Sequence, residues 1–312
     1  MTRLGLGTAP LAGLYRPVEE GDALRVIEGA WQQGLRFFDT APLYGHGLGE
    51  QRTGKVLREK SRSEYALATK VGRLLRADVP PEPGQSYKGT PPVNPVFDFS
   101  YDATMRSVEE SRVRLGIDTI DVLHIHDPDN HYEQALTGAY RALDRLRSDG
   151  VIGAVGAGMN QAEMLTRFAR EADFDCFLLA GRYTLLDQVA LRELLPTCSE
   201  RGVAIIAAGV YNSGVLADPR PDARYNYRKA PPELVQRAQK IQSVCRRHGV
   251  PLRAAAVQFP LGHPAVQTVV VGCRSLDQLE DTVRMFELDI PAALWQELKA
   301  ERLLPEDAPT PS

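Results

Sequence analysis

The chain has 312 residues, 43% of them hydrophobic and 25% charged, with 37 Lys and Arg against 40 Asp and Glu for a net charge of -3. That balance supplies no basic field for a nucleic acid or an anionic membrane surface. No run approaches the ~18 uninterrupted apolar residues that a membrane span needs. The cysteines at 176, 198, 245 and 273 lie far apart without CxxC or metal-type spacing. They read as reduced thiols of a cytoplasmic protein, and no metal site is expected.

The first residues, MTRLGLGTAPLAGLY, contain an early proline, several glycines and one basic residue. They read as a first strand rather than an export signal. Short apolar, β-branched runs then recur at 4–8, 35–39, 65–69, 119–125, 152–156, 175–179, 203–208 and 267–271. Amphipathic helical stretches separate them. Gly34, Gly116, Gly150, Gly202 and Gly249 stand where helices should end in a left-handed residue, and Ser100 stands at an N-cap before 101–115. Strands alternating with helices imply parallel pairing and right-handed crossovers. Eight units predict an α/β fold, a single-domain (β/α)8 TIM barrel over 1–305; a doubly wound open sheet is the alternative. Residues 76–99 and 212–229 break the rhythm with proline- and glycine-rich sequence. Both follow strand C-termini, the face on which barrel enzymes build their sites. The last residues, 306–312, read as a mobile tail.

Five residues with usable chemistry fall at or beyond strand ends: Asp39, Tyr44, Lys70, His124 and His126. Both histidines share a strand face. An isolated phenol, with a pKa near ~10, is a poor proton carrier at neutral pH. A neighbouring ammonium stabilises the phenolate, and a carboxylate holds that ammonium charged and oriented. A histidine then orients a substrate oxygen. Taken singly, Asp39 suits a turn cap, Tyr44 a structural loop residue, Lys70 an ordinary ion pair and His124 a core position; the conjunction is what suggests a proton-transfer site. Lys70 at a strand end also suits a Schiff-base aldolase, and a nicotinamide-sensing module without turnover is a further alternative.

These residues resemble the aldo-keto reductase superfamily over nearly the whole chain. The shared pieces are LGLGT at 4–8, FFDTAPLYG at 37–45, ATK at 68–70, IDVLHIHDP at 120–128 and VVVGCRSLDQLED at 269–281. The resemblance implies Tyr44 as general acid/base, Lys70 as its charged partner, Asp39 as the anchor of Lys70 and His126, rather than His124, as the substrate-orienting residue. LLAGRYTLLDQ at 178–188, GAGMNQ at 156–161 and AAGVYNSGVL at 207–216 are similar to the D-threo-aldose 1-dehydrogenase branch, the L-fucose and D-arabinose dehydrogenases. That implies hydride transfer between NAD or NADP and a sugar hemiacetal or aldehyde; reduction of aldehydes and ketones, or oxidation of pyridoxal, is the alternative on the same site. The family's Ser-Asn and Gln contacts to the carboxamide fall at Gly158, Met159 and Ala180, so Asn160 is expected to make that contact. Tyr211 is expected to stack on the cofactor, with Asn212, Ser213 and Gly214 at its pyrophosphate. Gly7, Thr8, Gly272, Arg274, Gln278 and Asp281 complete the expected cofactor contacts. Arg274 is the one cation in its segment, Gln278 stands where NADP-preferring relatives often carry arginine, and Asp281 would repel a 2′-phosphate. NAD is therefore expected to be accepted and NADP not excluded. Tyr15 and His46 are expected at the pocket, and a monomer or homodimer is implied.

Overall fold

In the computed structural model, which describes residues 2–81, 84–226 and 228–311, eight parallel strands close into a barrel. They are β1 (Leu4–Gly7), β2 (Phe37–Asp39), β3 (Ala66–Val71), β4 (Ile120–His126), β5 (Ile152–Met159), β6 (Cys176–Ala180), β7 (Ala204–Ala208) and β8 (Val266–Val271). Each pairs with its neighbours in sequence, and β1 closes the ring on β8. All eight expected strands are present. Of the expected spans, Met1, residues 82–83, Tyr227 and Ser312 lie outside the described residues.

The interior is built from alternate residues of each strand. Phe37, Ala68, Val122, Cys176, Leu178, Ile206 and Val270 form one buried apolar cluster inside the ring. Gly5 makes room for Phe37, since a Cβ there would stand 2.7 Å from Phe37 Cδ1. Two residues further along their strands, Asp39, Lys70 and His124 lie above this layer, and His126 one step above His124. Apolar faces of the surrounding helices fill the space outside the ring.

Several helix boundaries follow from local chemistry. Ser100 Oγ accepts from Ala103 N at the start of the helix Tyr101–Leu115, and Gly116 ends that helix at φ 63°, its N–H donating to Arg112 O. The other four expected helix-ending glycines also have positive φ. Three outcomes differ from the sequence reading. The stretch after β3, read as a loop that breaks the rhythm, carries a short ribbon in which Arg73–Arg76 pairs antiparallel with Asn94–Phe97. A second short ribbon joins Arg224–Tyr225 to Arg228–Lys229. The terminal residues pack rather than extend: Ala308 is fully buried and Thr310 lies against Gly262. Among the described residues no helix is long and apolar enough to cross a membrane, and no group of three or more His, Cys, Asp or Glu side chains is placed to hold a metal ion.

One helix contact supports the site from behind. The helix Leu48–Leu57 crosses the helix Tyr101–Leu115 so closely that a Cβ on Gly54 would lie 1.8 Å from Leu115 O. The same crossing buries Glu50, which accepts from Arg114 Nε at 2.5 Å and from Thr69 Oγ1 at 2.7 Å, one residue before Lys70. Gly54→Ala is expected to force the helices apart and cost about 2–3 kcal/mol, read as a lower urea midpoint at unchanged slope.

Candidate active site

Lys70 and Asp39 meet inside the barrel mouth. Lys70 Nζ donates to both Asp39 carboxylate oxygens, at 2.7 and 2.8 Å, and to Thr40 O at 2.8 Å. Lys70 is 1% and Asp39 3% exposed. Burial pushes the Asp39 carboxyl above the usual carboxylate range, and the lysine charge opposes that push. The Tyr44 ring lies over the ammonium, with Nζ 4.6 Å from its centroid. The His126 ring stands perpendicular to Tyr44, centroids 5.8 Å apart. The structure therefore brings all four expected residues together.

His124 shares the inward face with His126, as alternation requires, but occupies a different environment. It is fully buried, neither ring nitrogen has a partner, and its Nδ1 sits 2.3 Å from where a Gly156 Cβ would be. Burial, helped by the Lys70 charge, pushes it down to about 3. His126 is also held well below the usual range, by burial first and then by Arg73, Lys70 and His124. Both rings are therefore neutral at physiological pH. Tyr87, which sequence reasoning missed, packs beside Tyr44 with centroids 6.1 Å apart and forms a bridge to Leu14. His46 is buried beside Tyr87, its Nδ1 2.6 Å from Val93 O.

Leu14 and Tyr15 lead into a groove of about 680 Å³ over the C-terminal ends of β6, β7 and β8. Of the residues expected to hold a cofactor, Asn160, Tyr211, Asn212, Ser213, Gly214, Gly272, Arg274, Gln278 and Asp281 line it. Gly7 and Thr8 do not. Thr8 is fully buried and donates through both its amide and its hydroxyl to Asp39 O, so it braces the second strand instead. Gly7 packs against Val270, with a Cβ there 3.0 Å from Val270 Cγ1.

Other expected contacts are engaged within the protein. The Asn212 side chain accepts from Thr184 Oγ1 and donates to Gly181 O. The Asn212 and Gly214 amides donate to Gly209 O and Tyr211 O, so neither is offered to a pyrophosphate. Gln278 Oε1 accepts from Arg274 N while Gln278 N donates to Ser275 Oγ, which caps the following helix, Leu276–Glu287. Arg274 is not the only cation at this end. Arg253, from the helix Leu252–Gln258, lines the same groove and pairs with Asp281 at 2.8 Å, and Arg284 binds Asp281 as well. The repulsion expected from Asp281 is thereby countered.

The groove fits an extended dinucleotide. Its size is that of a ligand cleft, its floor includes the glycine backbone at 181, 209 and 272, and an amide side chain, Asn160, stands after β5. Arg274 Nη2 donates to Leu14 O at 2.6 Å, but its Nη1 is buried with no protein acceptor. A buried guanidinium donor of that kind calls for an acceptor such as a phosphate or ribose oxygen.

A model of the aldo/keto reductase family matches residues 3–301. A D-threo-aldose 1-dehydrogenase from a Pseudomonas species is 44% identical, the alignment covering 97% of this chain and 94% of the relative. A pyridoxal 4-dehydrogenase from Microbacterium luteolum is 43% identical over 97% of this chain and 95% of the relative. Among solved structures, the holo form of an aldo-keto reductase from Bacillus halodurans superposes with a TM-score of 0.76 at 24% identity, covering 96% of this chain and 91% of that one. At that identity the likeness speaks for the fold.

The buried His124 makes a stability prediction with a definite sign. Its folded pKa is depressed to about 3 from 6.5, so the unfolded chain binds the extra proton between those values. Stability from this site is present above pH 6.5 and is lost as pH falls toward 3. His124→Leu is expected to flatten the acid side of the stability profile, seen as a smaller drop in melting temperature from pH 7.5 to about 5 than in the wild type. An equal drop in both proteins would contradict the neutral, unpartnered state of this ring.

Proposed function

Because the chain belongs to the aldo/keto reductase family, we propose that it oxidises the anomeric carbon of an aldose to the lactone at the Asp39–Tyr44–Lys70–His126 cluster. It is an NAD(P)-dependent oxidoreductase. A nicotinamide dinucleotide, when bound in the groove, supplies the hydride acceptor. The observation that carries the site assignment is the ammonium of Lys70, fixed by Asp39 and lying 4.6 Å from the Tyr44 ring centroid.

Tyr44 acts as the base toward the hemiacetal hydroxyl. The ammonium beside its ring favours the phenolate, and the Asp39 carboxylate with Thr40 O keeps that ammonium charged and immobile. Neutral His126, perpendicular to Tyr44, orients the substrate oxygen. Asn160 holds the carboxamide, and Arg274 meets the far end of the cofactor.

A Schiff-base role for Lys70 fits poorly, because an amine must be unprotonated to attack a carbonyl and this one is clamped as an ammonium by three acceptors. Oxidation of pyridoxal is the second reading, since one close relative carries that name. The test is to offer L-fucose, D-arabinose, L-galactose and pyridoxal with NAD or NADP and follow reduced-nicotinamide absorbance. Turnover of at least one sugar is expected. Tyr44→Phe is expected to lower kcat on the order of a hundredfold or more while cofactor binding persists. Near-wild-type turnover in that variant would overturn the assignment.

A further inference from the structure

Beside His126 lies a charged pair that the reaction described above leaves unused. Asp127 Oδ2 is 3.6 Å from His126 Nε2 and 3.3 Å from Arg73 Nη2. Arg73 lies on the Phe97 ring, its guanidinium carbon 4.0 Å from the centroid. The Asp127 backbone is left-handed, φ 44°, a conformation rare outside glycine, and its amide donates to Gly158 O at 3.0 Å. Strained backbone of this sort persists where the surroundings over-determine it, often at functional sites. Asp127 also differs from its neighbours in access: its side chain is 25% exposed, against 8% for His126 and 1% for Lys70.

Each oxidation releases a hydride, which the nicotinamide takes, and a proton, which Tyr44 takes. That proton must reach bulk solvent before the next turnover. Lys70 offers no way out, because its three acceptors, two on Asp39 and one on Thr40, belong to buried residues. His126 does: its Nδ1 is buried without a protein partner, and its other nitrogen faces the half-buried Asp127.

We propose that Asp127, acting through His126, is the exit for the catalytic proton. The Tyr44 O–H bond breaks as the proton joins His126 Nδ1, the Nε2–H proton passes to Asp127 Oδ2, and the carboxyl releases it to water. Tyr44 returns to phenolate and the imidazole stays neutral overall, its proton now on Nδ1; the starting tautomer returns by proton exchange with water, Nδ1 giving its proton up as Nε2 takes one back. Burial pushes the Asp127 carboxyl up to about 6; Arg73 and Lys70 pull it down and Asp129 pushes it up. A group so placed accepts a proton and gives it up near neutrality. The charged and titratable groups around it are Arg73 on the ribbon, Lys70 on β3, His124 and His126 on β4, and Asp129 in its own loop, itself bonded to Gln161. The proposal rests on Tyr44 being the base.

The test mixes full-length enzyme and NAD with a sugar that turns over, in weak buffer with a pH indicator. Proton appearance is compared with reduced-nicotinamide absorbance in a stopped-flow instrument. In the wild type the two signals should coincide and be indifferent to added imidazole buffer. In Asp127→Asn proton appearance should lag by about tenfold, added imidazole should abolish the lag, and Asp127→Glu should restore the wild-type trace. Melting temperature and cofactor fluorescence titration check that the variants fold and bind. Coincident signals in Asp127→Asn, or a lag that imidazole leaves unchanged, would overturn the exit. So would wild-type proton release that imidazole accelerates, a result that needs no variant to fold. Full activity in Tyr44→Phe would instead remove the base on which the proposal stands, which separates the two failures.

Discussion

The ion pair between Lys70 and Asp39 is the constraint around which the barrel mouth is arranged. A buried ammonium is costly unless every proton finds an acceptor, and removing one partner of such a pair typically costs about 3–5 kcal/mol. Here the three protons go to Asp39 and to Thr40 O, at 2.7–2.8 Å. Satisfying them fixes the ends of two strands relative to each other, and Thr8 ties a third strand to Asp39 O. Glu50 and Arg114 then hold Thr69, the residue before Lys70, from the helix layer. The charge that the proposed chemistry needs is thus also what sets the geometry of the mouth.

A second consequence of that charge concerns the histidines. Burial disfavours the charged form of both imidazoles, and the nearby ammonium adds to that push, so His124 and His126 are both held neutral. For His126 this keeps one nitrogen as a hydrogen-bond donor and the other as an acceptor, the combination an orienting or relaying group requires. For His124 it leaves two unsatisfied ring atoms in the core, tolerated because Gly156 offers the space that a larger residue would fill.

Much of this was legible in the sequence because it is local. Strand periodicity located all eight strands within a few residues, and the helix-ending glycines have the positive φ their positions demand. Asp39, Lys70 and His126 sit at strand ends that the closed ring necessarily gathers. What was not legible comes from pairings distant in sequence. Arg253 reaches the groove from a helix that precedes β8, and its partner Asp281 lies beyond that strand. Tyr87 reaches Tyr44 from a loop with no periodicity. Thr8 lies next to the groove in sequence but turns its hydroxyl into the barrel wall, a choice that only the pairing of β1 with β2 decides. The composition of the last residues suggested a free end, whereas one small side chain, Ala308, fits a buried position that no composition rule anticipates.

The bridge between Leu14 and Tyr87 makes two walls into one. Tyr15 N donates to Ser86 O and Lys88 N to Gly13 O, so residues 13–15 and 86–88 are joined through their backbones. One side of this seam borders the groove over the ends of β6, β7 and β8, through Leu14 and Tyr15, and the other borders Tyr44, through Tyr87. On the proposed function, substrate range and cofactor grip are therefore not separable modules in this barrel. Grafting the long loop from a relative to alter the substrate range would carry half of a shared partition without its mate, and the first loop has to be exchanged along with it.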